Sequence, residues 1–260
     1  MQDELESRGI GLIGISYDPP EVLAKFAESR QVRLPLLSDV GSRVIAELGL
    51  LDRDLVEHHA AFGIQTRDFQ IGVAYPAVFV LDKTGRIVDK RIGESYRIRE
   101  GALKLLDEAL GVSLPPSGER RIEAGPHVQV TAISDAATYS RYQPTRLHVV
   151  IEMDPGWHVY GRPIPEGYEP LTVEVEPAPG LELGQVMYPQ PHPFRLEGTD
   201  EMFNAYEVRC EVIVPFAVQV SAGHGPVELS VRVRYQTCST SECLPPSAVT
   251  LALQIDEASA

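Results

Sequence analysis

The chain has 260 residues and a net charge of −14, and this length is sufficient for two domains that each bury their own core. Residues 1–111 hold 18 acidic and 14 basic side chains and so carry a net charge of −4. Residues 112–260 therefore carry the other −10. Such an acidic second half argues against nucleic acid or an anionic membrane as a partner.

The chain also lacks the sequence features of membrane insertion. No stretch approaches the roughly 18 consecutive apolar residues of a transmembrane helix, so we expect no membrane insertion. The first residues lack the basic and apolar regions of a signal peptide.

The first 111 residues predict an alternation of strands and helices. Short apolar runs at 11–17 and 34–37 predict strands, and each is followed by a predicted helix. Residues 77–91 predict a hairpin with its turn at 82–85, and a helix over 98–110 ends at Gly111. We therefore predict an α/β domain with a mixed sheet over residues 1–111.

The pattern changes after residues 112–121, which are predicted to be a linker because they are rich in proline, glycine and serine. Beyond them, apolar side chains alternate with a period of two. This predicts an antiparallel β-sandwich over residues 122–256. Its predicted strands are 128–133, 146–152, 171–176, 208–214, 227–235 and 249–255.

Two of the three cysteines, Cys238 and Cys243, follow the alternating strand 227–235 and precede Pro245 and Pro246. Such a pair is either a structural staple or a redox device. A ring this small stabilises a fold by only about 2 kcal/mol on loop-closure scaling, which favours the redox interpretation. A zinc site would need four ligands, and no second pair has suitable spacing, so we expect no metal and no cofactor. The third cysteine, Cys210, alternates with valines and is predicted to be a buried structural thiol.

The second half resembles the N-terminal domain of the thiol:disulfide interchange protein DsbD. The resemblance rests on Gly156-Trp-His-Val-Tyr160, on Tyr188-Pro-Gln-Pro191 and on Tyr235-Gln-Thr-Cys238 followed by Cys243-Leu-Pro-Pro246. It implies an immunoglobulin-like sandwich whose cysteine pair passes electrons to thioredoxin-fold proteins. It also implies the periplasm or another extracytoplasmic space.

The same resemblance implies roles for individual residues. Cys243 would form the mixed disulfide and Cys238 would resolve it, while His158 and Tyr160 would face the pair. Residues 197–203 would be a cap loop in which Phe203 shields the pair. Alternatively, Trp157 and Tyr160 are core aromatic residues and His158 merely lines a strand.

The first half resembles a thioredoxin-fold redoxin of the AhpC/TSA (peroxiredoxin-like) family, on residues 8–16, 35–39 and 75–85. In that family a cis-proline beside the active site would correspond to Pro76. However, no cysteine precedes Cys210, and redoxins begin with a strand and a cysteine-bearing helix. We therefore expect an incomplete thioredoxin-like domain in which Pro76 marks a vacant site.

Three functions stay open at this point. The first is thiol–disulfide interchange between the Cys238/Cys243 pair and thioredoxin-fold proteins. The second is a peroxiredoxin-like thiol reductase whose active cysteine lies upstream of this chain, with the sandwich as its reductant. The third is a non-enzymatic docking module with a structural disulfide.

Overall fold

The protein is described by a computed structural model that covers residues 2–61, 63–93, 102–112, 114–195 and 202–258. Contacts along the backbone divide the chain into two compact units, Met1–Tyr96 and Arg97–Ala260. No helix among the covered residues combines the length and the apolar character needed to cross a membrane.

The first unit alternates short helices and strands, as predicted. β1 and β2 pair in parallel, whereas β3 and β4 form the predicted antiparallel hairpin. Within the covered residues these are two separate two-stranded ladders and not one mixed sheet; β1 and β2, of three residues each, offer few ladder hydrogen bonds. The elements are α1 (Gln2–Ser7), β1 (Gly14–Ser16), α2 (Pro20–Ser29), β2 (Leu36–Ser38), α3 (Arg43–Glu47), α4 (Leu55–Ala61), β3 (Ala77–Leu81) and β4 (Ile87–Ile92).

Two aspartates set local boundaries in this unit. The carboxylate of Asp39 accepts hydrogen bonds from the backbone N–H groups of Val44 and Ile45 at 3.2 and 2.9 Å, and so caps α3. These hydrogen bonds hold the pKa of Asp39 below its usual value. Asp82 forms the turn of the hairpin by accepting from the N–H groups of Thr84 and Arg86.

The prediction of a cis peptide bond before Pro76 is wrong. The one cis peptide bond among the residues described is Arg162–Pro163. The bond before Pro76 is trans, and the chain runs from it directly into β3. The N–H of Tyr75 donates to the carbonyl of Leu50 at 2.8 Å, and the carbonyl of Pro76 accepts from the N–H of Gly93 at 2.7 Å.

The second unit is an all-β, immunoglobulin-like sandwich preceded by one helix, α5 (Ala102–Leu110). All six strands predicted from alternation are present, as β6, β8, β10, β14, β15 and β17. The strands are β5 (Arg120–Gly125), β6 (Val128–Ser134), β7 (Thr138–Tyr139), β8 (Thr145–Met153), β9 (His158–Tyr160), β10 (Thr172–Val175), β11 (Leu181–Leu183), β12 (His192–Arg195), β13 (Met202–Glu207), β14 (Arg209–Val218), β15 (Val227–Tyr235), β16 (Thr237–Cys238) and β17 (Ser247–Glu257).

Two main sheets enclose the core of the sandwich. One has the order β11-β14-β8-β6-β5 and the other the order β10-β15-β17-β7. Alternate side chains of β8, β14, β15 and β17 are buried in a single apolar cluster, for example Val149, Val212, Val231 and Leu253, each 0% exposed. This alternation is the physical origin of the period of two in the sequence.

A third, small sheet has the order β12-β13-β9-β16. Its strands have two to six residues, and none of them is among the strands predicted from alternation. Because β16 follows β15 after one residue, the small sheet carries Cys238 at the end of a long core strand.

The boundary between the units differs from the one predicted from the sequence. The final helix was predicted to close the first domain, yet α5 groups with the second unit. Arg146 of β8 donates to Asp107 of α5 at 3.1 Å, and Leu106 is 5% exposed. The predicted linker also joins the sandwich, since the N–H of Gly118 donates to the carbonyl of Ser134 at 3.0 Å. A Cβ atom at Gly118 would overlap the backbone of residues 134–136, so this close approach requires glycine.

Candidate redox site

Cys238 and Cys243 close a tight hairpin at the edge of the small sheet. The two residues lie opposite each other as an isolated bridge, and their sulfur atoms form a disulfide with the Cα atoms 4.1 Å apart. The N–H of Ser239 donates to the carbonyl of Glu242 at 2.8 Å, and that of Leu244 donates to the carbonyl of Thr237 at 2.9 Å. These hydrogen bonds hold the pair at a fixed place.

The two cysteines differ sharply in exposure. Cys238 is 0% exposed and packs with Tyr160 and Phe203, whereas Cys243 is exposed. An attacking thiolate from another molecule can therefore reach Cys243 and not Cys238.

Gln236 fixes the base of the hairpin. Its side-chain amide donates to the carbonyl of Leu244 at 3.1 Å and accepts from the N–H of Glu169 at 3.1 Å. The residue is 8% exposed. Gln236 was not predicted from the sequence as a site residue, although its position between Tyr235 and Thr237 in the cysteine motif was a usable signal.

Tyr160 contacts the exposed sulfur directly. Its hydroxyl lies 3.5 Å from Sγ of Cys243, and the hydroxyl is the donor because a disulfide sulfur carries no proton. Burial raises the pKa of Tyr160 to about 12, so the phenol stays protonated at neutral pH. The structure thus brings Tyr160 to the pair, as the resemblance implied.

An aromatic cluster surrounds Tyr160 and determines its orientation. The Tyr160 ring stacks on Phe203 at 5.3 Å between centroids and meets Tyr168 edge-on at 5.3 Å. Tyr168 in turn meets Phe203 at 5.0 Å. Tyr168 was not predicted from the sequence as a site residue.

Phe203 lies in β13, is 1% exposed and belongs to the same buried cluster as Cys238. The predicted cap loop, residues 197–203, falls outside the described residues except for its last two positions. Shielding of the pair by Phe203 stays a prediction.

His158 lies next to Cys238 across the sheet. The two residues are register partners of β9 and β16, and His158 is 1% exposed. Its ring contacts Tyr160 at 5.2 Å and Phe194 at 4.2 Å between centroids. Burial lowers the pKa of His158 below its usual value, so the imidazole is neutral at neutral pH.

The other candidates lie elsewhere. Cys210 is a buried free thiol, as predicted, and burial raises its pKa to about 12. Pro76 belongs to the first unit and the cysteine pair to the second. The residues covered by the structure hold no group of three or more His, Cys, Asp or Glu side chains arranged to bind a metal ion.

The fold and the site define a class: an immunoglobulin-like sandwich that presents one sulfur of a disulfide hairpin to solvent, joined to an α/β domain. Residues 128–255 match the family described as "Thiol:disulfide interchange protein DsbD, N-terminal". Residues 1–90 match the AhpC/TSA family. Both resemblances drawn from the sequence are thereby confirmed.

Similar proteins cover parts of the chain. Peroxiredoxin Bcp of Escherichia coli (strain K12) is 42% identical over 48 residues, which is 18% of this chain and 31% of that protein. A putative peroxiredoxin bcp of Shigella flexneri gives the same values. The aligned region therefore spans less than a third of these curated relatives.

Two solved structures are similar to the chain at low identity. The N-terminal periplasmic domain of ScsB from Proteus mirabilis is 20% identical with a TM-score of 0.35, covering 52% of this chain and 49% of that one. The DsbD N-terminal domain of Neisseria meningitidis in the reduced form is 17% identical with a TM-score of 0.30, covering 43% and 82%.

Proposed function

We propose that this chain carries out thiol–disulfide interchange, passing electrons between the Cys238/Cys243 pair and thioredoxin-fold proteins. The observation that carries the proposal is the contrast between an exposed Cys243 and a fully buried Cys238 within one disulfide. A staple has no need for an accessible sulfur, whereas an exchange reaction requires one.

The exchange proceeds through a mixed disulfide. In the reduced pair, the thiolate of Cys243 attacks one sulfur of a partner's disulfide, and the other partner sulfur leaves with the electron pair. The thiolate of Cys238 then attacks Sγ of Cys243, forming the intramolecular disulfide and releasing the second partner sulfur as a thiolate. The pair is oxidised by two electrons and the partner disulfide becomes a dithiol.

Tyr160 supports the proposed order of attack. Its protonated hydroxyl, 3.5 Å from Sγ of Cys243, can donate a hydrogen bond to the Cys243 thiolate. Hydrogen bonding to the charged form lowers the pKa of that form. The neighbouring Cys238 is fully buried and packs against Tyr160 and Phe203.

A redox titration separates the redox device from the staple. The protein is equilibrated in glutathione buffers of graded potential and its free thiols are trapped. We expect the pair to be reduced within the range of the glutathione couple. A pair that stays oxidised below about −300 mV, where structural disulfides typically lie, contradicts the proposal.

A trapping experiment tests the order of the cysteines. A Cys238→Ser variant should accumulate a mixed disulfide through Cys243 with an oxidised thioredoxin-fold protein, because the resolving thiol is lost. The matched Cys243→Ser variant should accumulate much less, since Cys238 is buried. The reverse result would exchange the two roles.

The location and partners follow from the same proposal. We place the sandwich in the periplasm or another extracytoplasmic space, where such pairs exchange electrons. The match to the DsbD N-terminal family over residues 128–255 supports this placement.

A peroxiredoxin-like thiol reductase is the second candidate, and the AhpC/TSA match and the similarity to peroxiredoxin Bcp favour it. Since residues 1–209 contain no cysteine, the peroxide-reacting thiol would come from outside this chain, with Cys238/Cys243 as its reductant. The 260-residue chain alone should then consume no hydrogen peroxide in the presence of a dithiol reductant. Consumption that survives a Cys238→Ser, Cys243→Ser double substitution would contradict this second candidate.

A further inference from the structure

An unpartnered nitrogen beside the cysteine pair carries an inference beyond the exchange reaction itself. Four buried side-chain polar atoms have no hydrogen-bond partner among the described residues, and Nε2 of His158 is the one that lies in the small sheet. Buried polar groups are nearly always hydrogen-bonded, so an exception needs an explanation. For His158 the explanation lies in the thiol proton of Cys238, which is absent from the disulfide and present in the reduced pair.

Register places His158 in a row with two chemically complementary residues. On β13 its partner is Glu207, and on β16 its partner is Cys238. Side chains directly opposite each other in antiparallel strands share one face, with Cβ atoms about 4.5–5.5 Å apart. The three neighbouring strands therefore present a carboxylate, an imidazole and a cysteine side by side.

The charged and titratable groups around the imidazole come from each neighbouring strand. They are Tyr160 on β9, Glu207 on β13 and Cys238 on β16, while His192 of β12 contacts Glu207 at 3.2 Å. The carboxylate of Glu207 raises the pKa of His158, but burial outweighs it and the pKa lies below the usual value. A neutral imidazole is thus the register partner of the buried cysteine, and its Nε2 has no hydrogen-bond partner among the described residues.

We propose that His158 accepts the proton of the Cys238 thiol when Cys238 resolves the mixed disulfide, and that Glu207, its register partner on β13, is a positioning residue for the imidazole. This inference rests on the proposed exchange function. In the disulfide, Cys238 has no proton and Nε2 has nothing to accept. In the reduced pair, Cys238 carries an S–H group that a neutral Nε2 can accept.

The step balances without any added reagent. The proton moves from Sγ of Cys238 to Nε2, and the resulting thiolate attacks Sγ of Cys243. The Cys238–Cys243 bond forms, the bond between Cys243 and the partner breaks, and the electron pair stays on the partner's sulfur. That thiolate then takes up the proton from the imidazolium or from water.

The test uses the reduced full chain and one equivalent of the aromatic disulfide 5,5′-dithiobis(2-nitrobenzoate) in a stopped-flow instrument. Attack by Cys243 releases the first thionitrobenzoate in a phase that depends on concentration. Resolution by Cys238 releases the second thionitrobenzoate in a phase whose rate is independent of concentration. The wild-type second phase should accelerate with pH through an inflection below 6.5, the usual value for histidine.

A His158→Gln variant should slow the second phase about a hundredfold at pH 7 and remove its inflection, since general base catalysis by the imidazole is lost. The first phase should be unchanged. Glu207→Gln should move the inflection to lower pH, because the carboxylate that raises the histidine pKa is removed. His224→Asn, whose imidazole contacts Glu257 at 3.3 Å in another part of the sandwich, is the matched control and should behave as wild type.

Unchanged rates and inflections of the second phase in both variants would overturn the proposal. If His158→Gln fails to fold, the Glu207→Gln profile decides, since the Glu207 side chain is 48% exposed and its substitution leaves the core intact. Failure of the exchange function itself gives a different result, namely a pair that stays oxidised in the glutathione titration down to the potentials where structural disulfides typically lie.

Discussion

At the scale of single residues, Cys238 and Cys243 have the same side chain but differ in reactivity because they differ in burial. Cys238 is enclosed by the ring cluster of Tyr160 and Phe203, while Cys243 faces solvent five positions further along the chain. Reactivity of a thiol follows its accessibility and its thiolate fraction. The exposed cysteine with a hydroxyl donor is therefore the one suited to attack.

Replacing Tyr160 by phenylalanine tests that hydroxyl. The Tyr160→Phe variant should keep its fold but attack a disulfide about tenfold more slowly at neutral pH, since a hydrogen bond to a charged group contributes about 1.5 kcal/mol or more. The pKa of the Cys243 thiol should rise accordingly. Both are measured by alkylation rate against pH on the reduced protein.

Tyr206→Phe is the matched control. Burial raises the pKa of Tyr206 to about 12 as well, but its hydroxyl donates to the carbonyl of Pro189 at 2.9 Å and not to sulfur. This variant should lose about 1 kcal/mol of stability and keep the alkylation rate. Equal slowing in both variants would remove the specific role of Tyr160.

At the scale of elements, a charged network joins strands and helix in the second unit. His148 of β8 lies 2.7 Å from Asp135 and 2.7 Å from Glu211 of β14. Arg146 donates to Asp135 at 2.9 Å and to Asp107 of α5 at 3.1 Å. Burial opposes the charge on His148, but the two carboxylates outweigh it and raise the pKa of His148.

This network predicts a specific dependence of stability on pH. Because the folded pKa of His148 exceeds the unfolded value of about 6.5, its contribution is complete below pH 6.5 and is lost as pH rises through the folded pKa. Hydrogen bonds to His148 lower the pKa of Asp135 and Glu211 against the effect of burial. Their contribution is present above the unfolded pKa of about 4 and is lost as pH falls through the folded values.

A His148→Gln variant should therefore be destabilised most between about pH 5 and 6, by about 3 kcal/mol as for a broken buried ion pair. The difference from wild type should shrink as pH rises above the folded pKa. Urea unfolding, followed by the fluorescence of the single tryptophan, Trp157, measures the free energy of unfolding of wild type and variant at each pH. A difference in unfolding free energy that stays constant from pH 5 to 9 would contradict the claim that His148 is charged in the folded protein.

The contacts of α5 were not predictable from the helix sequence alone. Apolar spacing identifies the buried face of a helix but not the surface that covers it. The structure groups α5 with the second unit, and Leu106 is 5% exposed. Leu106→Ala should therefore lower the stability reported by Trp157 by about 2–3 kcal/mol, although residue 106 precedes the family match at 128–255.

An unchanged Trp157 transition in Leu106→Ala would assign the helix to the first domain, as the sequence suggested. Leu110→Ala is the control on the same helix, since Leu110 is 37% exposed and should cost less.

The difference between local patterns and contacts distant in sequence also explains which parts of the fold and the site the sequence could predict. Long core strands such as β8 and β14 show their alternation over nine and ten residues, so their positions were correct to within a few residues. β9 and β16 have three and two residues, too few for a period to be visible. Cys238 and Tyr160 could be named from the motif, but the row formed by Glu207, His158 and Cys238 depends on strand register. The backbone around Pro76 likewise bonds to Leu50 and Gly93, which are distant in sequence, so its conformation could not be predicted from the local pattern.

At the scale of the whole molecule, the two units differ in how completely they bury apolar surface. The sandwich has an extended core of fully buried side chains. The first unit buries only a few large apolar residues, such as Leu23, Ile45 and Val80, and leaves others such as Ile13, Val40 and Phe69 more than half exposed. Stability in this chain therefore resides mainly in the second unit, which also holds the cysteine pair.

This distribution predicts the effect of reducing the disulfide. The pair closes a ring with a sequence separation of 5, and loop-closure scaling gives about 2 kcal/mol for a ring of this size. Reduction should thus lower the stability reported by Trp157 by about 2 kcal/mol and leave the sandwich folded, because its core does not depend on the ring. Urea unfolding with and without a dithiol reductant measures the difference, and a Cys238→Ser, Cys243→Ser double variant should show no response to reductant. A protein that cycles between both redox states must remain folded in each, so loss of the Trp157 transition on reduction would identify a staple.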